Sequence, residues 1–153
     1  MNEILVKYHH PDLTRLVNYD KGDWIDLRAA EDVDLKAGEF SLISLGVSIK
    51  IPEEFEMWLA PRSSTFKKFG IIQTNGIGII DNSYCGNNDI IKMPVYALRD
   101  CHIPFNERIA QFRFVPRMKY CSKAFTFGIK FQEVEDLGTE DRGGFGSSDF
   151  SMR

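Results

Sequence analysis

The chain has 153 residues, enough for one domain with a hydrophobic core, and its 43% hydrophobic and 27% charged residues are ordinary for a globular protein. A net charge of -3 argues against broad nucleic-acid binding, which requires a basic face. No apolar run reaches the roughly 18 residues of a membrane span, and the N-terminus lacks the apolar core of a signal peptide. The three cysteines, Cys85, Cys101 and Cys121, form no C-x-x-C pair, so we interpret them as reduced thiols and expect a cytoplasmic protein without membrane or nucleic-acid partners.

Alternation of apolar and polar residues predicts several short strands, each with one buried face. These predicted strands cover residues 5–8, 47–51, 91–97, 110–114 and 125–131. Pro94 lies inside one of them, which predicts an edge strand or a bulge because proline cannot donate to a ladder. Many short strands at close spacing predict an all-β sandwich or barrel, here as one domain over residues 1–136.

Asp26 is the first candidate site residue along the chain, because its carboxylate interrupts the apolar residues Trp24, Ile25 and Leu27. Such an acid is either a structural group with a charged partner or a group that faces a metal. The sequence leaves both interpretations open.

The stretch 61–86 is dense in special residues. Arg62 is followed by the hydroxyl residues Ser63, Ser64 and Thr65, ahead of the short helical pattern F-K-K-F. The hydroxyls predict a helix cap. The same residues also suit an anion site, because a helix N-terminus presents free N–H groups and an arginine fork matches phosphate. Local chemistry does not decide between the two.

Asn75 and Gly76 are a strong tight-turn signal, which predicts a hairpin. Gly78 follows two residues later, and a hairpin with few side chains at its base leaves a slot between its strands. Main-chain N–H and carbonyl groups in such a slot can form hydrogen bonds with the edge of a flat polar ring. Asp81 lies three residues after Gly78. We interpret it either as part of an Asx turn with its neighbours or as a carboxylate that orients and deprotonates water.

The last stretch, residues 137–153, is rich in glycine and poor in apolar side chains, so we expect it to be mobile. It nevertheless contains residue types that hold phosphate or stack on a base, namely Arg142, Phe145, Ser147 and Ser148. It is therefore either a disordered tail or a lid that becomes ordered over a ligand.

Five short motifs in fixed order make the chain resemble the homotrimeric dUTPases (deoxyuridine 5'-triphosphate nucleotidohydrolases) of bacteria and phages. From Asp26 to Ser148 the motifs read I-D-L-R-A-A, A-P-R-S-S, N-G-I-G-I-I-D-N-S-Y-C-G, E-R-I-A-Q-F and G-G-F-G-S-S. The third is the most specific of the five. The resemblance implies a β-barrel or distorted jelly roll with one short helix, assembled as a homotrimer with active sites at subunit interfaces.

The resemblance also implies a dUTP diphosphatase, which converts dUTP and water to dUMP and pyrophosphate with Mg2+ on the triphosphate. Asp81 would activate the water that attacks the α-phosphorus. The residues from Asn75 to Ile80, Gly78 among them, would form the hairpin that reads uracil and leaves no room for the methyl group of thymine. Tyr84 would lie against the deoxyribose and exclude a 2′-hydroxyl.

The remaining implied roles concern phosphate, metal and base. The resemblance implies that Arg62, Ser63, Ser64 and Gln111 hold phosphates, that Asp26 contacts the metal through water, that Phe145 stacks on uracil, and that Ser147 and Ser148 lie at the γ-phosphate. Two positions depart from the usual pattern of the family. Glu140 stands where the fifth motif usually has arginine, so either Arg142 reaches the γ-phosphate from a shifted backbone or another residue does. Trp24 stands two residues before Asp26, where glycine is usual.

Two other functions remain as alternatives. A dCTP deaminase would share the subunit fold, but it needs a glutamate at C4 of cytosine, and residues 71–88 contain none. A binding module that orders its tail around a nucleotide and then engages a protein partner belongs to a different class of function. Ammonia release from dCTP would identify the first alternative, and nucleotide-dependent capture of a partner would identify the second.

Overall fold

The structure, a computed structural model, describes residues 2–18, 20–120 and 129–144. In chain order its elements are β1 (Asn2–Tyr8), β2 (Ile25–Arg28), β3 (Val33–Leu35), β4 (Phe40–Ser44), β5 (Val47–Ile49), β6 (Phe55–Pro61), α1 (Thr65–Phe69), β7 (Ile71–Gln73), β8 (Gly78–Ile80), β9 (Lys92–Ala97), β10 (Cys101–Ile103), β11 (Arg108–Pro116), a 3-10 helix (Met118–Tyr120) and β12 (Ile129–Glu133). The predicted all-β class with one short α-helix is confirmed. Among the residues described, no helix has the length and hydropathy needed to cross a membrane.

The strands pair in four sheets, with the orders β12-β1-β5, β10-β3, β2-β11-β6-β8 and β4-β9-β7. The pair of β1 and β12 is parallel, and the other pairs are antiparallel. Within the described ranges no sheet closes on itself. The arrangement is therefore jelly-roll-like and lacks the closed barrel that was one of the expectations from the sequence.

The sheet β2-β11-β6-β8 forms the centre of the hydrophobic core. Leu27, Met57 and Phe112, one from each of its first three strands in space, are at most 1% exposed. The ring of Phe112 also packs edge-on against Phe114, with centroids 5.5 Å apart. Each such side chain contributes roughly 1.5–3 kcal/mol when it is fully buried. This sheet is thus a rigid support for the residues at its ends.

The period-two pattern predicted five of the twelve described strands, namely β1, β5, β9, β11 and β12. Strands β5, β9 and β11 fall at the predicted positions, and β12 overlaps the predicted strand 125–131, of which residues 125–128 lie outside the described ranges. The pattern fails at Ser48, a polar position that is fully buried. Its hydroxyl donates to the Asn87 carbonyl oxygen at 3.0 Å, so the buried group has a partner.

The prediction for Pro94 was wrong. Strand β9 lies between β4 and β7, so Pro94 is in a central strand and not at an edge. The ladder with β7 ends where Val95 pairs with Gln73, and Thr74 N donates to the Pro94 carbonyl oxygen at 3.0 Å. The nitrogen and oxygen of one residue in an antiparallel strand point to the same side. The Pro94 nitrogen therefore faces Thr74, beyond the last pair of the ladder between β7 and β9. A missing N–H at this position removes no hydrogen bond of that ladder.

The predicted hairpin at Asn75 and Gly76 is also wrong, although the tight turn itself is present. Gly76 has a positive φ of 68°, and its N–H donates to the Gln73 carbonyl oxygen at 3.3 Å. The two strands that the turn connects belong to different sheets, because β7 pairs with β9 and β8 pairs with β6. The turn thus carries the chain from one sheet to the other.

One face of the sheet β4-β9-β7 is apolar and exposed. Phe40, Tyr96 and Ile72 are direct neighbours across its three strands. Their exposed fractions are 60%, 37% and 42%. A contiguous apolar row of this kind is typical of a surface that contacts another protein chain.

Candidate active site

A cavity of about 250 Å³ opens beside β6 and β8. It is lined by Leu59, Asn75, Gly78, Ile79, Ile80, Asp81, Tyr84, Lys92, Arg142 and Gly144. Most of these residues are candidates from the sequence, and the structure brings them together from two separate stretches of chain, residues 75–84 and Arg142. Leu59, Lys92 and Gly144 were not predicted.

Asp81 follows β8 and is exposed at the edge of this cavity. Its Oδ1 atom accepts two hydrogen bonds from Ser83, one from the backbone N at 2.9 Å and one from Oγ at 2.5 Å. This is the Asx turn that the sequence suggested. The Ser83 hydroxyl, and then its N–H, hold the pKa of Asp81 below the usual range. Asp81 is therefore ionised at neutral pH, and its Oδ2 accepts no hydrogen bond from the described residues.

Tyr84 is only 6% exposed and forms one wall of the cavity. Its hydroxyl donates to the Ile90 carbonyl oxygen at 2.7 Å. Burial is the main reason why the pKa of Tyr84 is raised, so the phenol stays neutral. Gly144 lies against the ring, where a Cβ atom would sit 3.0 Å from Tyr84 Cε2. The ring thus has a fixed position between the Ile90 loop and the C-terminal segment.

The turn after β7 forms the narrow end of the cavity. Gln73 is 8% exposed, and its Nε2 donates to the Leu59 carbonyl oxygen at 3.0 Å and to Asn75 Oδ1 at 2.9 Å. A Cβ atom on Gly78 would lie 3.2 Å from the Leu59 Cβ, which is tighter than ordinary packing. The slot is therefore narrow, and Gln73, which was not predicted from the sequence, fixes the Asn75 amide beside it.

A second group of candidate residues lies across the ends of β2, β11 and β6. Asp26 pairs with Gln111, and Gln111 pairs with Ala60 on its other side. Asp26 Oδ1 accepts from Arg62 Nε at 2.9 Å, and Oδ2 accepts from Arg108 Nη1 at 3.2 Å. Both oxygens of Asp26 are thus engaged by guanidinium groups, as expected for a structural acid, and its contact with a metal through water stays a prediction.

The hydroxyl residues after Arg62 do not act as a simple helix cap. Ser64 occupies the N-cap position of α1, but its side chain makes no capping hydrogen bond, and Ser63 is exposed. Thr65 instead accepts from Arg62 N at 3.0 Å and donates to the Ile109 carbonyl oxygen at 2.8 Å. The helix has five residues, so its dipole adds little to an anion site. Arg62 is the main cation here.

The residues of the described ranges include no group of three His, Cys, Asp or Glu side chains that could hold a metal ion. Asp26 is an isolated carboxylate between two arginines. A cage made only of protein ligands is therefore absent from the part of the chain that the structure describes. A carboxylate already bound by two arginines can contact a cation such as Mg2+ only through water, with the other ligands of that cation coming from phosphate and water.

The structure does not bring the two groups of candidates into one cavity. Asp26, Arg62, Ser64 and Gln111 do not line the cavity that contains Asp81. Gln111 Nε2 donates to the Pro61 carbonyl oxygen at 3.1 Å, which keeps it with the second group. The candidates Phe145, Ser147 and Ser148, like Cys121, lie outside the described residues.

The segment from Leu137 to Arg142 lies against the domain. Leu137 is 1% exposed, and Thr139 Oγ1 donates to the Cys85 carbonyl oxygen at 2.7 Å. Arg142 N donates to Asp89 Oδ2 at 2.8 Å, and the Arg142 residue lines the cavity. The predicted boundary at residue 136 and the mobile lid after it stay predictions.

Of two site residues, Arg108 could be identified from the sequence and Lys92 could not. Arg108 stands in the motif E-R-I-A-Q-F, three residues before Gln111, so the motif itself pointed to it. Lys92 is a polar position of a predicted strand, and nothing in the local pattern separates it from a solvated surface lysine.

Comparisons with known proteins point to one family. A protein-family model described as dUTPase matches residues 20–149 of the chain. The chain is 48% identical over 146 residues to the SPbeta prophage-derived deoxyuridine 5'-triphosphate nucleotidohydrolase YosS of Bacillus subtilis. That alignment covers 95% of this chain and 97% of the relative.

Two solved phage structures have a similar fold. A mutant of the Staphylococcus bacteriophage 80alpha dUTPase, solved with dUpNHpp, gives a TM-score of 0.65 at 23% identity and covers 97% of this chain and 99% of that chain. A mutant dUTPase from phage phi11 of S. aureus, with a coordinated structural Mg(II) ion, gives 0.65 at 20% identity and covers 84% and 95%. These likenesses show the fold alone and confirm the jelly-roll-like prediction.

The family match spans most of the chain and includes all five motifs from Asp26 to Ser148. The relative from Bacillus subtilis is aligned over nearly its whole length. The chain therefore belongs to the dUTPase family, and the enzyme class predicted from its motifs is confirmed.

Proposed function

We propose that the chain hydrolyses dUTP to dUMP and pyrophosphate, with Asp81 holding and deprotonating the attacking water. The observation that carries this proposal is the ionised Asp81 carboxylate at the edge of a 250 Å³ cavity. Ser83 binds only Oδ1, so Oδ2 is available to accept a hydrogen bond from water. A water held there lies beside the wall formed by Tyr84.

In this reaction the water oxygen bonds to the α-phosphorus, and the bond from the α-phosphorus to the oxygen that bridges to the β-phosphate breaks. The electron pair of that bond leaves with pyrophosphate, and a water proton passes to Asp81 Oδ2. Since Ser83 keeps the pKa of Asp81 low, orienting the water matters as much as accepting its proton. Such a group contributes on the order of 10²–10⁴-fold to the rate.

The slot around Gly78 supports selection of uracil. Gln73 engages Asn75 Oδ1, which leaves the Asn75 amide nitrogen as a donor for a uracil carbonyl oxygen. Gly78 adds no side chain to the lining, so a flat base can approach the main chain there, and we expect the methyl group of thymine to be excluded. The fixed ring of Tyr84 would pack on the deoxyribose and exclude a 2′-hydroxyl group.

The phosphates beyond the α-position belong, in this proposal, to Arg62, Ser63, Ser64 and Gln111. Mg2+ would be held by triphosphate oxygens and water, with Asp26 in contact through water. When bound, it neutralises charge on the triphosphate and orients the α-phosphorus. Arg62 and Arg108 then keep the Asp26 carboxylate in place at the end of β2.

Assembly as a homotrimer would unite the two groups of residues at subunit interfaces. The support is that Arg62 and Gln111 do not line the cavity of Asp81 in the same chain. The exposed apolar row that contains Phe40 and Tyr96 offers a surface for such contacts. Size-exclusion chromatography with light scattering tests the assembly, and a monomeric active enzyme would contradict it.

Release of pyrophosphate from dUTP, dTTP, dCTP and UTP tests the function. We expect turnover of dUTP only, and we expect Asp81→Asn to lower kcat about 10²–10⁴-fold without loss of fold. Full turnover by that variant would contradict the mechanism, and equal turnover of UTP would contradict the role of Tyr84. Ammonia release from dCTP would favour the deaminase alternative. Asp81 is the one carboxylate among the described residues of the lining, where a deaminase needs a glutamate.

A further inference from the structure

Residues 87–89 hold the segment that leads into the fifth motif, and we call them the 87–89 clamp. Asn87 Nδ2 donates to Asp136 Oδ1 at 3.0 Å. Asn88 donates twice to Asp141, from its backbone N to Oδ1 at 2.9 Å and from Nδ2 to Oδ2 at 2.8 Å. Two successive side chains of one loop thus bind two points of the C-terminal segment.

Asp89 is the centre of the clamp. Its carboxylate is 2% exposed and accepts three main-chain hydrogen bonds, from Gly86 N at 3.0 Å, Arg142 N at 2.8 Å and Gly143 N at 3.0 Å. A buried carboxylate requires such donors, because a buried polar group without hydrogen-bond partners is costly. The backbone at Arg142 is therefore fixed to the loop that follows Tyr84.

Close packing at two glycines fixes the path of the same segment. A Cβ atom on Gly86 would lie 2.5 Å from the Asp141 Cα, and a Cβ atom on Gly144 would lie 3.0 Å from Tyr84 Cε2. The segment therefore passes directly over the Tyr84 ring. This path places Arg142 in the lining of the cavity next to Asp81.

The charges in this cavity suit the α-phosphate. Its charged lining residues among those described are Asp81, Lys92 and Arg142. Ser83 is the main cause of the low pKa of Asp81, and the guanidinium groups of Arg117 and then Arg142 add to it. A water held by Asp81 must contact the α-phosphorus, and a carboxylate beside a phosphate is repelled unless a cation offsets the charge. The phosphate-binding candidate Arg62 lies outside this cavity.

We propose that the 87–89 clamp holds Arg142 at the Asp81 end of the cavity, where its guanidinium binds the α-phosphate and not the γ-phosphate. This inference rests on the proposed function, because that function places the α-phosphate beside Asp81. Arg142 is then a catalytic residue that touches the reacting phosphate, and Asn88 and Asp89 are positioning residues that act through it.

The first test compares dUMP, which has only the α-phosphate, with α,β-imido-dUTP, a triphosphate that resists this cleavage. Their Kd values are measured for the wild type, Arg142→Lys and Arg142→Ala. The clamp holds Arg142 through its backbone N, so the substitution leaves that bond in place. We expect Arg142→Ala to weaken both ligands by the same factor, at least about tenfold, and Arg142→Lys to restore part of it.

Weaker binding of the triphosphate with unchanged affinity for dUMP would place Arg142 at the γ-phosphate and overturn the proposal. Unchanged affinity for both ligands would overturn it as well. Pyrophosphate release from dUTP is measured on the same wild-type preparation. Absence of that activity would contradict the proposed function separately from the binding comparison.

The second test removes the clamp contact at Asp141, with Asp34→Ala as the matched control. Asp34, like Asp141, is an exposed aspartate whose carboxylate has one partner residue, here His102. Both Asp34 and His102 lie in the sheet β10-β3, which does not contribute to the cavity. In the wild-type background we expect Asp141→Ala to lower the affinity for dUMP about tenfold. In the Arg142→Ala background the same change should lower it less than about twofold, because the contact of Asn88 with Asp141 acts through Arg142. Asp34→Ala should have no effect in either background. Equal losses for Asp141→Ala with and without Arg142 would show a structural role only and overturn the positioning role.

Discussion

Thr65→Val is a substitution whose cost follows directly from the structure. Thr65 is 1% exposed, and its hydroxyl accepts from Arg62 N at 3.0 Å and donates to the Ile109 carbonyl oxygen at 2.8 Å. It thus ties the turn that carries Arg62 to strand β11. Valine has nearly the same shape without the hydroxyl, so the change removes two hydrogen bonds and opens no cavity.

The loss leaves one N–H and one carbonyl group without their partner. A buried polar group without a partner costs about 1–3 kcal/mol, and Arg62 is only partly buried, so we expect a loss of about 2–4 kcal/mol in the free energy of unfolding. The control is Thr65→Ser, which keeps the hydroxyl and loses one methyl group, at about 1 kcal/mol. The KM for dUTP should rise only for the valine variant, because Arg62 then loses its fixed position beside Asp26.

Urea denaturation measures the two free energies, at one fixed protein concentration because the stability of an oligomer depends on it. The difference between valine and serine isolates the hydroxyl. If Thr65→Val costs no more than Thr65→Ser, the two hydrogen bonds do not stabilise this turn, and the reasoning is refuted.

Three further predictions concern the cavity and the tail. Ser83→Ala removes the main donor that lowers the pKa of Asp81. Since the reaction needs ionised Asp81, the acid limb of the pH profile of kcat/KM should move to higher pH than in the wild type. An acid limb at the wild-type pH would contradict this. Gln73→Leu releases the Asn75 amide, so the preference for dUTP over dTTP should fall about tenfold, and an unchanged ratio in a pyrophosphate assay would speak against the role of Gln73. Deletion of residues 138–153 should leave a folded trimer by circular dichroism and light scattering with greatly reduced turnover, and full turnover would end the lid hypothesis.

The strands were predictable because one sheet face is buried. Val95 and Ala97 in β9 and Phe112 in β11 are fully buried and belong to the alternating apolar positions of their strands. Such alternation can be seen within a few consecutive residues of the sequence. The Asx turn at Asp81 was predictable for the same reason, since its donor Ser83 lies two residues away. Local contacts of this kind need no knowledge of the rest of the fold.

Contacts between distant parts of the chain were not predictable in this way. Asn88 and Asp141 are 53 residues apart, and the letters N-N-D in the sequence indicate only a polar loop. The turn at Asn75 likewise predicts a hairpin from local chemistry, whereas β8 pairs with β6. The choice of strand partner depends on the whole core, which turn residues do not encode.

At both positions that depart from the usual motifs, the structure shows how the neighbouring backbone is held. Trp24 replaces a glycine, yet its ring lies 6.0 Å from the Arg113 guanidinium at the side of the sheet, and Asp26 still pairs with Gln111. The arginine of the fifth motif is displaced along the sequence to Arg142, but the clamp fixes its backbone beside the cavity. Spacing along the chain locates a side chain only when the intervening backbone follows the same path. A motif with altered spacing can therefore serve a different phosphate: in our proposal the anchor at Asp89 directs Arg142 to the α-phosphate, and the γ-phosphate is left to other residues.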